Sequence, residues 1–143
     1  MEELLYEIKL LSNTMDNCPQ VKISINDTEY FCGQILGEEI VTFKSFTSDN
    51  FKLNIEYAGN NPKTYILDDQ GLPTNAITVI IDTIKIEGID ITNIAYTKSV
   101  YNIDPNEKYI VDYKRERCMD LGPRGVWILP IGSPVYIWML ENL

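Results

Sequence analysis

Val21-Lys22-Ile23-Ser24-Ile25-Asn26-Asp27-Thr28-Glu29-Tyr30-Phe31-Cys32 is the stretch on which the fold turns. Val21, Ile23 and Ile25 alternate with Lys22, Ser24 and Asn26, the two-residue period of a strand with one buried and one wet face. Asn26-Asp27 then falls where a two-residue hairpin turn needs left-handed backbone angles, which Asn and Asp tolerate best after glycine. Thr28 to Cys32 returns as the partner strand, and Gly33 and Gly37 bracket its exit. This is the signature of antiparallel pairing.

The same grammar extends in both directions. Downstream, Ile40 to Phe46 reads as a strand with Val41, Phe43 and Ser45 on one face. Thr47-Ser48-Asp49-Asn50 is a turn by composition. Phe51, Leu53, Ile55 and Tyr57 alternate with Lys52, Asn54, Glu56 and Ala58, again one buried and one wet face. Gly59-Asn60-Asn61-Pro62 breaks that strand, Thr64 to Leu67 is a candidate short strand, and Asp68 to Asn75 is a polar loop. From Ala76 to Thr92 the isoleucines change phase. Ile77, Val79 and Ile81 lie in one register and Ile84 and Ile86 in the other, which predicts a bulge near Asp82-Thr83. Glu87-Gly88 is a turn into Ile89-Asp90-Ile91. Upstream, Glu7 to Leu11 fits an opening strand, while Leu4, Leu5, Ile8 and Leu11 also fit a helical stripe.

The last fifty residues differ in texture. Tyr96, Tyr101, Tyr109 and Tyr113 punctuate a polar stretch, and Lys114, Arg115 and Arg117 form a basic cluster. Val126 to Leu129 reads as a buried strand. Ser133-Pro134 fits a helix start, with Ser133 as N-cap and Val135, Trp138, Met139 and Asn142 on the inner face. The competing reading is a terminal strand over Val135 to Met139.

Roughly seven to nine short strands, with no strand–helix alternation, predict an all-β chain. The expected architecture is a jelly-roll-like antiparallel β-sandwich, forming one domain over 1–143 and open to a short C-terminal helix. The 143 residues and 45% hydrophobic content suffice for a real core. A net charge of −9, from 21 acidic and 12 basic residues, repels phosphate backbones and argues against nucleic-acid binding. No apolar run reaches membrane-spanning length, and the acidic Met1-Glu2-Glu3 start is unlike a secretion signal, so the expectation is no membrane insertion and folding in a cytoplasm. Cys18, Cys32 and Cys118 match neither a disulfide framework nor a zinc site, and Cys32 reads as a small buried hydrophobe. Without a histidine there is no Cys–His nucleophilic pair.

The segment Phe51 to Ile91, with its alternating strand, Asn-rich turn, acidic loop and Val79-Ile80-Ile81-Asp82-Thr83-Ile84-Lys85-Ile86-Glu87-Gly88, resembles the galactose-binding-like jelly rolls. The resemblance is greatest to calcium-dependent xylan-binding modules and covers about a third of the chain. It implies a sandwich fold, with acidic loop residues holding a calcium ion that grips sugar hydroxyls. A second resemblance, of texture, links Gly125-Val126-Trp127-Ile128-Leu129-Pro130 and Ser133 to Leu143 to the tails of small virion proteins of tailed bacteriophages.

Four sets of residues carry candidate chemistry. Asn60, Asn61, Asp68 and Asp69 offer oxygen ligands of the kind calcium prefers, and Tyr57 and Tyr65 offer rings for a sugar face. Against this, Asn and Asp are ordinary turn residues. Trp127, Tyr136 and Trp138 are candidate interface anchors, weighed against core packing. Lys114, Arg115 and Arg117 suit an acidic neighbour, including another copy of the chain, or are a solvated face. Asp82, Glu87 and Asp90 would suit a glycosidase only if two of them flanked a cleft, and the expectation is that the chain is no enzyme. The leading expectation is a structural subunit of a phage virion, assembled in the host cytoplasm, with other virion subunits or itself as partners. The second is a carbohydrate-binding module, calcium-assisted or metal-free, acting in host-surface attachment.

Overall fold

Period-two alternation sorts side chains to the two faces of a strand, and strands with one greasy face must bury it against another sheet. The computed structural model describes residues 2–12, 20–47, 49–59, 78–107 and 112–143. In chain order these form β1 (Glu2–Ser12), β2 (Gln20–Ile25), β3 (Thr28–Gln34), β4 (Glu38–Thr47), β5 (Phe51–Gly59), β6 (Val79–Ile86), β7 (Ile89–Asp90), α1 (Thr92–Lys98), β8 (Val100–Ile103), β9 (Lys114–Glu116), β10 (Asp120–Leu121), β11 (Gly125–Ile131) and α2 (Val135–Glu141). One sheet has the order β10-β6-β1-β4, with β7 beside β6, and the other runs β3-β2-β5-β11-β8-β9. Every pairing is antiparallel. The fold is a jelly-roll-like β-sandwich with two short helices. No helix among the described residues is long and apolar enough to cross a membrane.

The inner faces form one hydrophobic cluster. The first sheet contributes Leu4, Tyr6, Ile8, Leu10, Val41, Ile81, Ile84 and Ile86, and the second Val21, Ile23, Leu53, Ile55, Tyr57, Tyr101, Trp127 and Leu129. Three rings tie an edge together: Tyr6 stacks on Phe43 at 4.7 Å between centroids, and Phe43 on Tyr30 at 4.8 Å. On the outer face of the first sheet, Lys85 meets Glu7 and Lys44 meets Glu3 across strands, and Lys9 lies between Glu38 and Asp82.

The hairpin reading holds: Asn26 takes φ +52° in the turn between β2 and β3. The phase change in β6 is a bulge. Lys9 pairs with Thr83 and Leu10 with Ile81, leaving Asp82 as the extra residue. Glu87 and Gly88 both have positive φ in the turn that follows. At the N-terminus, strand geometry wins over the helical stripe. Leu4, Tyr6, Ile8 and Leu10 are buried, so Tyr6 belongs to the core and Leu5 does not.

Three elements depart from expectation. Ile89-Asp90-Ile91 is cut short, because the Asp90 carboxylate accepts the Thr92 N–H and hydroxyl, while Thr92 Oγ1 accepts the Ile84 N–H. The chain turns there into α1, which buries Ile94 and Ala95. Cys32 is exposed on β3 rather than buried, since Ile23 pairs with Phe31 and turns Cys32 outward. At the C-terminus a helix forms, but Ser133 does not cap it. Pro134 occupies the cap position, and the Glu2 carboxylate from β1 accepts both the Ser133 hydroxyl (3.0 Å) and the Val135 N–H (3.1 Å). The basic cluster lies on and just after β9, the edge of its sheet, where charge discourages further strand pairing.

Candidate functional site

A concavity among the described residues lies at one end of the second sheet. There the β2–β3 turn, the start of β5 and the end of β11 meet α2. It is a cleft of about 330 Å³ lined by Asn26, Asn50, Lys52, Pro130, Gly132 and Trp138, with Phe51 and Ile131 beneath. That is the lower end of the size range of small-ligand sites.

Each lining residue has a local reason for its position. Asn26 is the left-handed turn residue. Its side-chain oxygen accepts the Lys52 N–H at 3.0 Å, and its backbone N–H reaches the Lys52 carbonyl at 2.9 Å. Asn54 Nδ2 donates to the Asn26 carbonyl at 2.9 Å, completing the staple of turn to β5. Asn50 Oδ1 accepts the Ser133 N–H at 3.1 Å, which anchors the segment leading into α2. Pro130 pairs with Lys52 just past Ile128, the last β11 residue paired with β8, so its missing N–H deprives no neighbour there.

Trp138 is half-buried, packed on the core by one side and facing the cleft by the other. Gly132 permits this. A Cβ at that position would stand 2.8 Å from Trp138 Cδ1 and 3.1 Å from Cγ. The result is a flat indole flanked by two carboxamides and an ammonium. Both carboxamide oxygens are held by backbone N–H groups, so the Nδ2 donors are what Asn26 and Asn50 present outward.

The sequence-predicted residues fare differently. Asn60, Asn61, Tyr65, Asp68 and Asp69 lie outside the described residues. Tyr57 is 1% exposed, with its ring in the core and its phenol pushed up by burial, so it has no face to offer a sugar. Trp127 is 0% exposed and donates its indole N–H to the Cys118 carbonyl at 3.0 Å, which makes it a core residue and not an interface anchor. Tyr136 is half-exposed on the outer side of α2. Of the three aromatic anchors, Trp138 alone meets the cleft. Asn26, Asn50 and Lys52 were read as turn or wet-face residues. Their side chains meet only through sheet register, for which no local sequence signal exists.

The paired-carboxylate idea dissolves into structural contacts. Asp82 lies 3.6 Å from Lys9, Glu87 accepts the Leu5 N–H, and Asp90 holds Thr92. The Thr92 hydroxyl, followed by its backbone N–H, keeps the Asp90 carboxyl below the usual carboxylate range. At the far end of the second sheet, buried Glu107 accepts both the backbone N–H of Arg124 (3.1 Å) and its Nε (2.6 Å). No group of three or more His, Cys, Asp or Glu side chains that could hold a metal ion occurs among the described residues.

No protein-family model and no curated protein matches the sequence. Solved structures do resemble it. A structure described as vCBM60 in complex with galactobiose superposes with a TM-score of 0.53 over 90% of this chain and 97% of the other, at 13% identity. A selenomethionine form of vCBM60 gives a TM-score of 0.55 over 88% and 89%, at 11% identity. It is described as part of an evolutionary link, by circular permutation, between two families of calcium-dependent carbohydrate-binding modules. At these identities the likeness establishes the fold alone: a β-sandwich shared with these structures.

Proposed function

We propose that this chain is a non-catalytic glycan-binding domain whose ligand rests on Trp138 in the cleft between the β2–β3 turn and α2. The observation that carries this reading is the half-buried Trp138 indole lining a cleft beside the oriented amides of Asn26 and Asn50. A saccharide ring has apolar C–H faces and a rim of hydroxyls. It needs a flat apolar platform with fixed polar groups around it, and a rigid aromatic provides the platform at little entropic cost. The resemblance to carbohydrate-binding modules in fold gives independent support. Nothing among these similar structures supports the virion expectation, so the second reading is the one carried forward.

The test is a glycan array on the full chain, followed by titration of any hit. Trp138→Ala should abolish binding, because tryptophan anchors dominate interfaces of this kind. A chelator should leave binding intact, since none of the cleft residues is a carboxylate. Binding that survives Trp138→Ala but disappears with the chelator would refute this placement and return attention to Asn60, Asn61, Asp68 and Asp69.

A further inference from the structure

The charge around the cleft is one-sided: Lys52 is the one ionised side chain among the described lining residues. The side-chain oxygens of Asn26 and Asn50 are each engaged by a backbone N–H. The side-chain donors around the cleft are the two Nδ2 groups and the Lys52 ammonium, and no carboxylate is among the lining residues. Lys9, Lys22, Lys44 and Lys85 each have a carboxylate within 3.7 Å, whereas Lys52, like Lys98 and Lys114, has none among the described residues. Its neighbours across the strands and along β5 are Asn26, Pro130 and Asn54, all neutral.

A cation without a counter-ion, set among amide donors in a cleft that no carboxylate lines, is complementary to a ligand that brings acceptors and negative charge. We infer that the cleft selects a saccharide bearing a carboxylate, a uronic-acid unit, with its ring on Trp138 and its carboxylate on Lys52. This inference rests on the glycan-binding reading and names the ligand class of the same site. A neutral sugar would satisfy the amides but leave the ammonium to water, with no gain from its charge. The exposed acids nearest in sequence, Asp27 and Asp49, do not line the cleft, and their charge opposes such a ligand. Selectivity therefore falls on the Lys52 contact, made at hydrogen-bond distance, where the attraction exceeds the repulsion from those more distant acids.

The experiment titrates the full chain calorimetrically with digalacturonate and, separately, with galactobiose, while following tryptophan emission. Trp127 is sealed in the core, so a change in emission on binding reports Trp138. The acidic sugar should bind roughly tenfold more tightly, the usual worth of a charge-assisted hydrogen bond over a neutral one. Lys52→Gln, an exposed side chain whose loss spares the core, should remove that preference. The double variant Asp27→Asn, Asp49→Asn should strengthen binding of digalacturonate and leave galactobiose as it was. Equal affinities, or tighter galactobiose, would overturn the charge inference and leave the glycan reading standing. A preference that persists in Lys52→Gln would also overturn it. Binding of neither sugar, or of any member of a uronate and neutral glycan panel, would overturn the reading beneath it.

Discussion

Replacing Gly132 by alanine tests how Trp138 is held. The added Cβ would sit 2.8 Å from Trp138 Cδ1, 3.1 Å from Cγ and 3.2 Å from Cβ. Carbon atoms rest at about 3.5–4.0 Å, so the indole must retreat by roughly 0.7 Å. The clash reaches the base of the side chain, where a swing of the ring tip relieves little of it. Overpacking of this kind costs about 1–3 kcal/mol, which for a chain of this length lowers the melting temperature by roughly 3–10 °C. A displaced platform should also weaken ligand binding by about fivefold, the equivalent of roughly 1 kcal/mol. Gly122→Ala is the matched control. There a Cβ meets only Thr78 Cγ2, at 3.5 Å, which is ordinary contact. That variant should melt at or slightly above the parent temperature, because alanine restricts the unfolded chain. Thermal denaturation of both, with calorimetric titration of the best ligand, decides the matter. If Gly132→Ala melts and binds like the parent, the close packing of Trp138 on Gly132 is wrong, and the cleft loses its platform.

Burial pushes the phenols of Tyr6, Tyr57 and Tyr101 far above the ordinary tyrosine value. Above about pH 10 the unfolded chain therefore releases protons that the folded chain keeps, and stability falls by about 1.4 kcal/mol per pH unit for each, roughly 4 kcal/mol for the three. Denaturant midpoints at pH 9 and pH 11 measure this, and equal midpoints would show the phenols to be open to solvent. Glu2→Ala should cost about 1–2 kcal/mol, since it removes the acceptor for Ser133 and Val135 at the start of α2. It should also shift Trp138 emission to the red, whereas an unshifted spectrum would mean that α2 is held without Glu2. The Asp90 carboxyl lies below its ordinary value in the fold, so its contribution is present at neutral pH and is lost as pH falls through the folded value. Asp90→Ala should lower stability at pH 7 by about 1 kcal/mol or less, with the difference shrinking near pH 2; a gap that stays constant with pH would refute the charge-linked part.

The sandwich was legible because its strands declare themselves locally. Phe51, Leu53, Ile55 and Tyr57 occupy the buried face of β5 as their spacing predicts, and the break in isoleucine phase at Asp82-Thr83 marks a real bulge. What failed locally was set by contacts that the spacing of apolar residues does not reveal. Glu2 caps a helix 133 residues away from it, so Ser133 beside the helix was the reasonable but mistaken choice. Residues 92–98 became helical once Thr92 was caught between Asp90 and the Ile84 N–H, an interaction that exists only after β6 has paired.

The cleft was hidden for a sharper reason: every residue in it has a sufficient local explanation. Asn26 satisfies a left-handed turn, Asn50 follows a polar corner, Lys52 falls on the wet phase of β5, and Trp138 on the inner side of an amphipathic helix. Reading each alone exhausts its meaning. They converge because β2 and β11 flank β5, a neighbour order no short stretch of sequence encodes. Pairing places Pro130 opposite Lys52, and the turn after β2 folds Asn26 onto the same position. Local propensity built the walls, and sheet register brought their outward-facing groups together. The feature that local structure does not require is the combination of oriented amide donors with an unpaired ammonium beside an indole. It is on that surplus, beyond what folding demands, that the proposed glycan site rests.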